Sequence, residues 1–358
     1  MATRKNHHFV PQFYFRRFSS DGRSICALMR GTGHVVRRAS IKGQASKDWF
    51  YGSVEAESAL SEIEGHCSAA LRELAALKDP TQLSAEHIEG LLIHLTLQRS
   101  RTEAARVAGQ PIHDKMAQLV VEMGASNADG LSDDQRALIL DNLDSWQADP
   151  VAAQGLEMAT AMQSAEALSD LRPLLLVNTT NRPFIFGDAP VVFYNPYCRD
   201  VTLRGVLGFA SPGLLVILPL DSRTCFLLVD AEVYRVRASA NNRVSVRDLR
   251  DVAALNKLQL HAASGCVYFE EERFSGYVKA LWAEEHKRLT KHAGSVAQAP
   301  GFDAQTREPL GEIVHAFQPQ LAYRPLLSFL KHEIVGDGDQ RLLRRAGAQY
   351  DESPIEFP

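Results

Sequence analysis

Leu174-Leu175-Leu176-Val177-Asn178-Thr179-Thr180-Asn181-Arg182-Pro183-Phe184-Ile185-Phe186-Gly187-Asp188-Ala189-Pro190 is where the chain changes period. Leu174 to Val177 is a continuous apolar run, Asn178 to Arg182 is a polar turn, Phe184-Ile185-Phe186 returns, and Asp188-Ala189-Pro190 breaks the run. Apolar runs this short, closed by Asn, Gly and Pro, read as strands. The same punctuation continues downstream. Leu214-Leu215-Val216-Ile217-Leu218 stops at Pro219, and Cys225-Phe226-Leu227-Leu228-Val229 and Val233-Tyr234-Arg235-Val236 flank Asp230-Ala231-Glu232. The pattern predicts an antiparallel sheet over about 171–270. A helix capped by Ser245 and ending near His261 interrupts it, and Cys266-Val267-Tyr268-Phe269 supplies a further strand. One more helix is expected over about 275–290, carrying Tyr277, Leu281 and Trp282.

Upstream the period is helical. Ala56, Leu60, Ile63, Cys67, Leu71 and Leu74 recur at three and four, so they share one face of a helix that Ser53 can cap and Asp79-Pro80 ends. Ser84 can cap the next, expected over about 84–108, with Ile88, Leu91, Leu92 and Leu95 on one face. Ser132-Asp133-Asp134-Gln135 reads as a capping box, and an Ala- and Met-rich helix is expected over about 151–169. Nearer the N-terminus, Ile25, Ala27 and Met29 alternate before Gly31-Thr32-Gly33 and His34-Val35-Val36, which predicts a hairpin over about 24–38. Pro11 suits a loop or an edge.

Helices followed by strands make the chain α+β: an N-terminal hairpin, a helical middle region over about 53–169, and an antiparallel sheet with further helices. Residues 1–292 are expected as a single domain. Residues 293–358, rich in Ala, Gly, Pro and Gln, read as an irregular C-terminal extension, docked in part through Leu321–Phe329 and loose from Gly336.

Hydrophobic residues make up 45% and charged residues 23%, and the formal net charge is -4, so no global basic field attracts nucleic acid or an anionic membrane. Any nucleic acid or nucleotide contact would use a local basic patch. The five cysteines, Cys26, Cys67, Cys198, Cys225 and Cys266, form no C-x-x-C pair and read as reduced, mostly buried thiols. Met1 to His8 has no apolar core of a secretory signal, and no run approaches a membrane span, so a cytoplasmic protein without membrane contact is expected. P-loop, dinucleotide-binding, zincin and nucleophile-elbow motifs are absent.

The polar candidates stand out against this background. His7-His8 can ligate a metal or move a proton near neutral pH, although neighbours on a strand face opposite ways. On an unbroken 84–108 helix, Arg99, Thr102 and Arg106 would continue the apolar stripe, with His94, Gln98 and Arg101 beside it. Arg99 must then meet a carboxylate or a bound anion: either Asp188 or a helix end that holds the fold, or a phosphate or carboxylate ligand. Asp188 is delivered to a Gly/Pro-bounded corner, a place for a ligand or general base and equally for a turn residue. Asn256 lies on the apolar stripe of its helix, so its amide needs a backbone or ligand partner.

The opening stretch His7-His8-Phe9-Val10-Pro11-Gln12-Phe13-Tyr14-Phe15-Arg16-Arg17-Phe18 resembles H-H-x-x-P-x-x-Y-L-R-x-F, the pattern of the mainly bacterial family known as domain of unknown function 4238. Phe15 replaces the usual leucine. Gln98-Arg99-Ser100-Arg101-Thr102, Phe184 to Val191, Leu218-Pro219-Leu220 and Leu255-Asn256 are similar to the family as well. Its members often carry S-D-x-P where this chain has Gly187-Asp188-Ala189-Pro190. The resemblance implies no reaction, cofactor or partner, but it falls on the same polar positions: His7, His8, Gln98, Arg99 and Asp188.

Two functional expectations follow. One is a hydrolase, a metal-dependent nuclease or phosphodiesterase in a bacterial conflict system. His7, His8 and Asp188 would act as acid–base groups, or His8 and Asp188 would hold a divalent metal. Arg99 and Arg101 would neutralise developing charge and Gln98 would orient water. The other is a non-catalytic sensing module that binds an anion or a partner through Gln98, Arg99, Arg101 and Asn256. A purely structural network pinning the N-terminus is the plainest alternative.

Overall fold

Helix starts follow the local chemistry closely. In the computed structural model, which describes residues 5–201, 205–302, 308–332 and 344–349 except the side chains at 302 and 310, Ser53 caps Val54–Ala76 by accepting the Ala56 N–H at 3.2 Å. Leu60, Cys67, Leu71 and Leu74 of that helix are buried as their spacing requires. The Ser132–Gln135 capping box starts Asp133–Asp141. Pro150–Gln163 passes into a short 3-10 turn, Ala165–Leu168. Ser84 precedes Ala85–Ser100 but turns its hydroxyl to Glu73. Leu91, Leu92 and Leu95 are buried there, whereas Ile88 is exposed.

The expected 84–108 helix is two helices. Ala85–Ser100 ends at Arg101, and Thr102 caps Glu103–Asn127 by accepting the Ala105 N–H at 3.2 Å. Arg101 is drawn into the interior, and the hydroxyl of Thr102 offers the backbone a fresh start. The arginine stripe therefore splits. Arg106 lies over the Phe50 ring and donates to Gln154, while Arg99 faces elsewhere.

Among the described residues, one sheet runs in the order Arg243–Val246, Arg172–Asn178, Thr224–Val229, Leu215–Pro219, Val192–Tyr194, and another in the order Val35–Ser40, Ser24–Met29, Cys266–Phe269, Phe186–Gly187. Arg243–Val246 pairs parallel to Arg172–Asn178, so the larger sheet is mixed rather than antiparallel throughout. A short buried run carries no mark of its neighbour's direction. Phe184-Ile185-Phe186 does not return against Leu174–Val177 either. The Asn178 side chain accepts the Thr180 N–H and donates to the Arg182 carbonyl, and the chain leaves for the smaller sheet. Ser245 lies in a strand, and Asp248 caps the helix Leu249–Ala262.

The N-terminal segment plugs the space between these layers. Asn6–His8 pairs with Ser46–Asp48, and Pro11 starts the short helix Gln12–Arg16. Tyr14, Phe15 and Phe18 are fully buried around Phe186 and Tyr268, with ring centroids 4.5–5.2 Å apart. The Tyr14 hydroxyl donates to the Pro219 carbonyl, and Arg17 Nε donates to the Leu220 carbonyl at 2.6 Å.

Beyond Ser275–Glu285, the segment expected to be irregular contains a hairpin, Ser295–Phe302 with Pro309–Phe317, and a strand, Leu330–His332, paired with Tyr234–Val236. Leu327 and Leu330 are buried in the cluster of Val252 and Leu255. The stretch from Gly336 lies outside the described residues except 344–349, where buried Arg345 pairs with Asp170 at 2.8 Å. None of the five cysteines forms a disulfide; Cys26, Cys67, Cys198 and Cys225 are buried and Cys266 is partly exposed. Among the described residues no helix is long and apolar enough to cross a membrane.

Candidate functional site

The histidine motif is held inside the fold. His7 is completely buried, its Nδ1 accepts the Tyr51 N–H at 3.1 Å, and its ring stacks on that of Tyr51. His8 points the other way, with Nε2 3.1 Å from the Lys42 carbonyl. Its own carbonyl accepts from Arg101 Nη2 at 2.6 Å, while Arg101 Nη1 meets Glu64 at 2.7 Å and Nε the Tyr51 hydroxyl at 3.0 Å. Burial opposes the Arg101 charge, but Tyr51 and Glu64 outweigh it and raise its pKa. Gln98 donates to the Phe9 carbonyl at 2.7 Å. His7, His8, Gln98 and Arg101 are thus brought together, but around the backbone of residues 7–9.

Asp188 and Asn256 belong to a different junction. The Asp188 carboxyl accepts the N–H groups of Ser264 and Gly265, both at 2.7 Å, and of Cys266 at 3.1 Å. Burial raises its pKa against those hydrogen bonds. Asn256 accepts the Ile185 N–H at 3.0 Å and donates to the Pro183 carbonyl at 2.8 Å, so its partners are mainly backbone. Gln259, on the same helix, bridges the Gly187 N–H and the Pro190 carbonyl at 3.0 Å each. A Cβ at Gly187 would fall 2.9 Å from the Ala263 side chain, so the close helix leaves no room for serine there. The expected grouping of Asp188 with His7, His8 and Arg99 does not form, because its oxygens close the 264–266 turn. No group of three or more His, Cys, Asp or Glu side chains converges as metal ligands would among the described residues.

Arg99 is placed differently. It borders an open cavity of about 510 Å³ lined by residues of Glu103–Asn127 and Pro150–Gln163, Phe193 and the 205–209 segment. Arg99 Nη2 donates to Gln318 Oε1 at 3.0 Å, and its guanidinium lies 5.7 Å from the Phe193 ring centre. Among the described residues no carboxylate pairs with it, unlike Arg101 and Arg345. Burial lowers its pKa from the usual value, and the charge of Glu157 partly offsets that. Ile112, Met116, Leu156, Phe193, Leu207 and Phe209 make most of the wall apolar.

Two further polar residues in this wall carry no mark in the sequence pattern. His113 Nε2 lies 3.7 Å from Glu157 Oε2. Each is one polar residue on an ordinary amphipathic helix, and they come from different helices. The available signal was Gly109. Glycine in a helix interior costs roughly 1 kcal/mol relative to alanine, so it points to a close neighbour. A Cβ there would fall 2.8 Å from Glu157 Oε2 and 3.2 Å from His113 Nε2.

The volume lies within the roughly 300–1,000 Å³ typical of small-molecule sites, and an apolar wall with a few converging polar groups is their usual chemistry. No curated protein and no solved structure matches the chain. The model of the family described as "Protein of unknown function (DUF4238)" matches residues 6–273, more than half of the chain, and the chain belongs to that family.

Proposed function

We propose that the protein is a non-catalytic binding module whose cavity takes a small amphipathic anion, its charged group on Arg99 and its apolar body against Phe193, Leu156 and Met116. The observation that carries this is the Arg99 guanidinium: partly buried, facing a mainly apolar cavity, and held by a neutral amide instead of a carboxylate. A desolvated guanidinium not paired with a carboxylate gains from an incoming carboxylate or phosphate, which can bind it through two parallel hydrogen bonds. Binding is preferred to hydrolysis because His7 Nδ1, His8 Nε2 and both Asp188 oxygens bond to the chain's own backbone.

The test is a thermal-shift titration of the full chain with decanoate, an apolar chain ending in one carboxylate. A ligand that binds only the folded state raises the melting temperature with concentration. The wild-type protein should show that rise, and Arg99→Gln should show a clearly smaller one at each concentration. Equal shifts in both, or none in either, would overturn the reading.

A further inference from the structure

Glu157 is a second charge in the same wall, and the contacts of the fold leave it open. Its Oε2 is buried and accepts no hydrogen bond among the described residues. The nearest basic nitrogen given to it is His113 Nε2 at 3.7 Å, too far for a hydrogen bond. A buried carboxylate oxygen without a donor is costly, and folds normally supply one. Gly109 leaves the space that lets the carboxyl lie against its neighbouring helix. About a fifth of the side chain, 21%, is still exposed, and Glu157 lines the cavity.

Arg99 and Glu157 therefore share one cavity without closing on each other as an ion pair. They are near enough for the Glu157 charge to favour the charged form of Arg99. A guanidinium and a carboxylate held apart beside an apolar space form a complementary pair for a group that carries both charges. A single anion would satisfy Arg99 but meet repulsion from Glu157. A molecule with an anion and an adjacent cation satisfies both.

Resting on the Arg99 reading above, we propose that the ligand is an α-amino acid or related small zwitterion with an apolar side chain. Its carboxylate pairs with Arg99 and its ammonium with Glu157. The side chain packs against Ile112, Met116, Leu156 and Phe193. His113 lies behind Glu157, its Nε2 3.7 Å from Oε2.

The test is calorimetric titration of the full chain with two matched pairs: L-phenylalanine against hydrocinnamate, and L-leucine against isocaproate. The second member of each pair lacks only the ammonium group. At least one amino acid should bind about tenfold or more tightly than its partner, the size expected for one charge-assisted hydrogen bond. Glu157→Gln, which keeps the shape of the side chain, should abolish that preference and leave the affinity for the partner acid unchanged or higher. If the acids bind as tightly as the amino acids, or the preference survives in Glu157→Gln, the zwitterion proposal is overturned while the Arg99 reading stands. If the amino acids, the acids and decanoate all fail to bind, both are overturned.

Discussion

Arg99 donates to the side-chain oxygen of Gln318 across 3.0 Å, joining the last turn of Ala85–Ser100 to the residue that follows the strand Pro309–Phe317. Two positions on, Arg101 is locked to Glu64 and the His8 carbonyl. The two arginines look alike in the sequence and differ in partner. A carboxylate neutralises Arg101, whereas the amide of Gln318 leaves Arg99 charged and replaceable by an anion.

Arg99→Gln should weaken decanoate binding about tenfold to a hundredfold, since hydrogen bonds to charged groups contribute roughly 1.5–3 kcal/mol. Thermal stability without ligand should fall little, because the side chain pairs with a neutral amide and a ring. Calorimetry and melting curves on the same preparations separate the two effects.

Arg101→Met should cost about 3 kcal/mol in urea unfolding, the lower end for breaking a buried ion pair, because Glu64 is partly exposed. The His8 carbonyl also loses its donor. A change below about 0.5 kcal/mol, the usual size for a surface substitution, would show that the N-terminal segment is not anchored there.

Asp188→Ala should destabilise by about 2–4 kcal/mol, because the N–H groups of Ser264, Gly265 and Cys266 lose their acceptor. Ligand affinity of the folded protein should stay the same. Lost affinity at unchanged stability would place Asp188 in a site instead of a junction.

Burial, helped by the charges of Arg101 and Arg17, holds the His94 pKa down at about 3, from an ordinary value of 6.5. The unfolded chain then binds more protons than the folded one between these values. The stability His94 contributes is complete above about pH 6.5 and is lost as pH falls towards 3. The slope can reach about 1.4 kcal/mol per pH unit for one group. Between pH 6.5 and 4.5, above most carboxylate titrations, His94→Leu should flatten the slope; an unchanged slope would assign it to other groups.

The caps at Ser53 and Ser132 and the hairpin at Gly31-Thr32-Gly33 were legible in the sequence because they depend on neighbours within a few residues. The break at Arg101–Thr102 was not, since what draws Arg101 inward is Glu64 and a carbonyl in the N-terminal strand. The pairing of Phe186–Gly187 with Cys266–Phe269 is equally non-local. At the site, a charge on an apolar stripe made Arg99 visible. His7, His8 and Asp188 drew notice for their chemistry, but residue type does not reveal whether a hydrogen bond ends on a ligand or on the chain's own backbone. Glu157 and His113 meet only when two helices pack.

The most direct measurement is a crystal structure of the chain with decanoate at saturating concentration. A carboxylate within about 3 Å of the Arg99 guanidinium nitrogens, with the alkyl chain along Phe193 and Leu156, is the predicted result. An empty cavity with Arg99 still on Gln318, or decanoate bound elsewhere, would contradict the account.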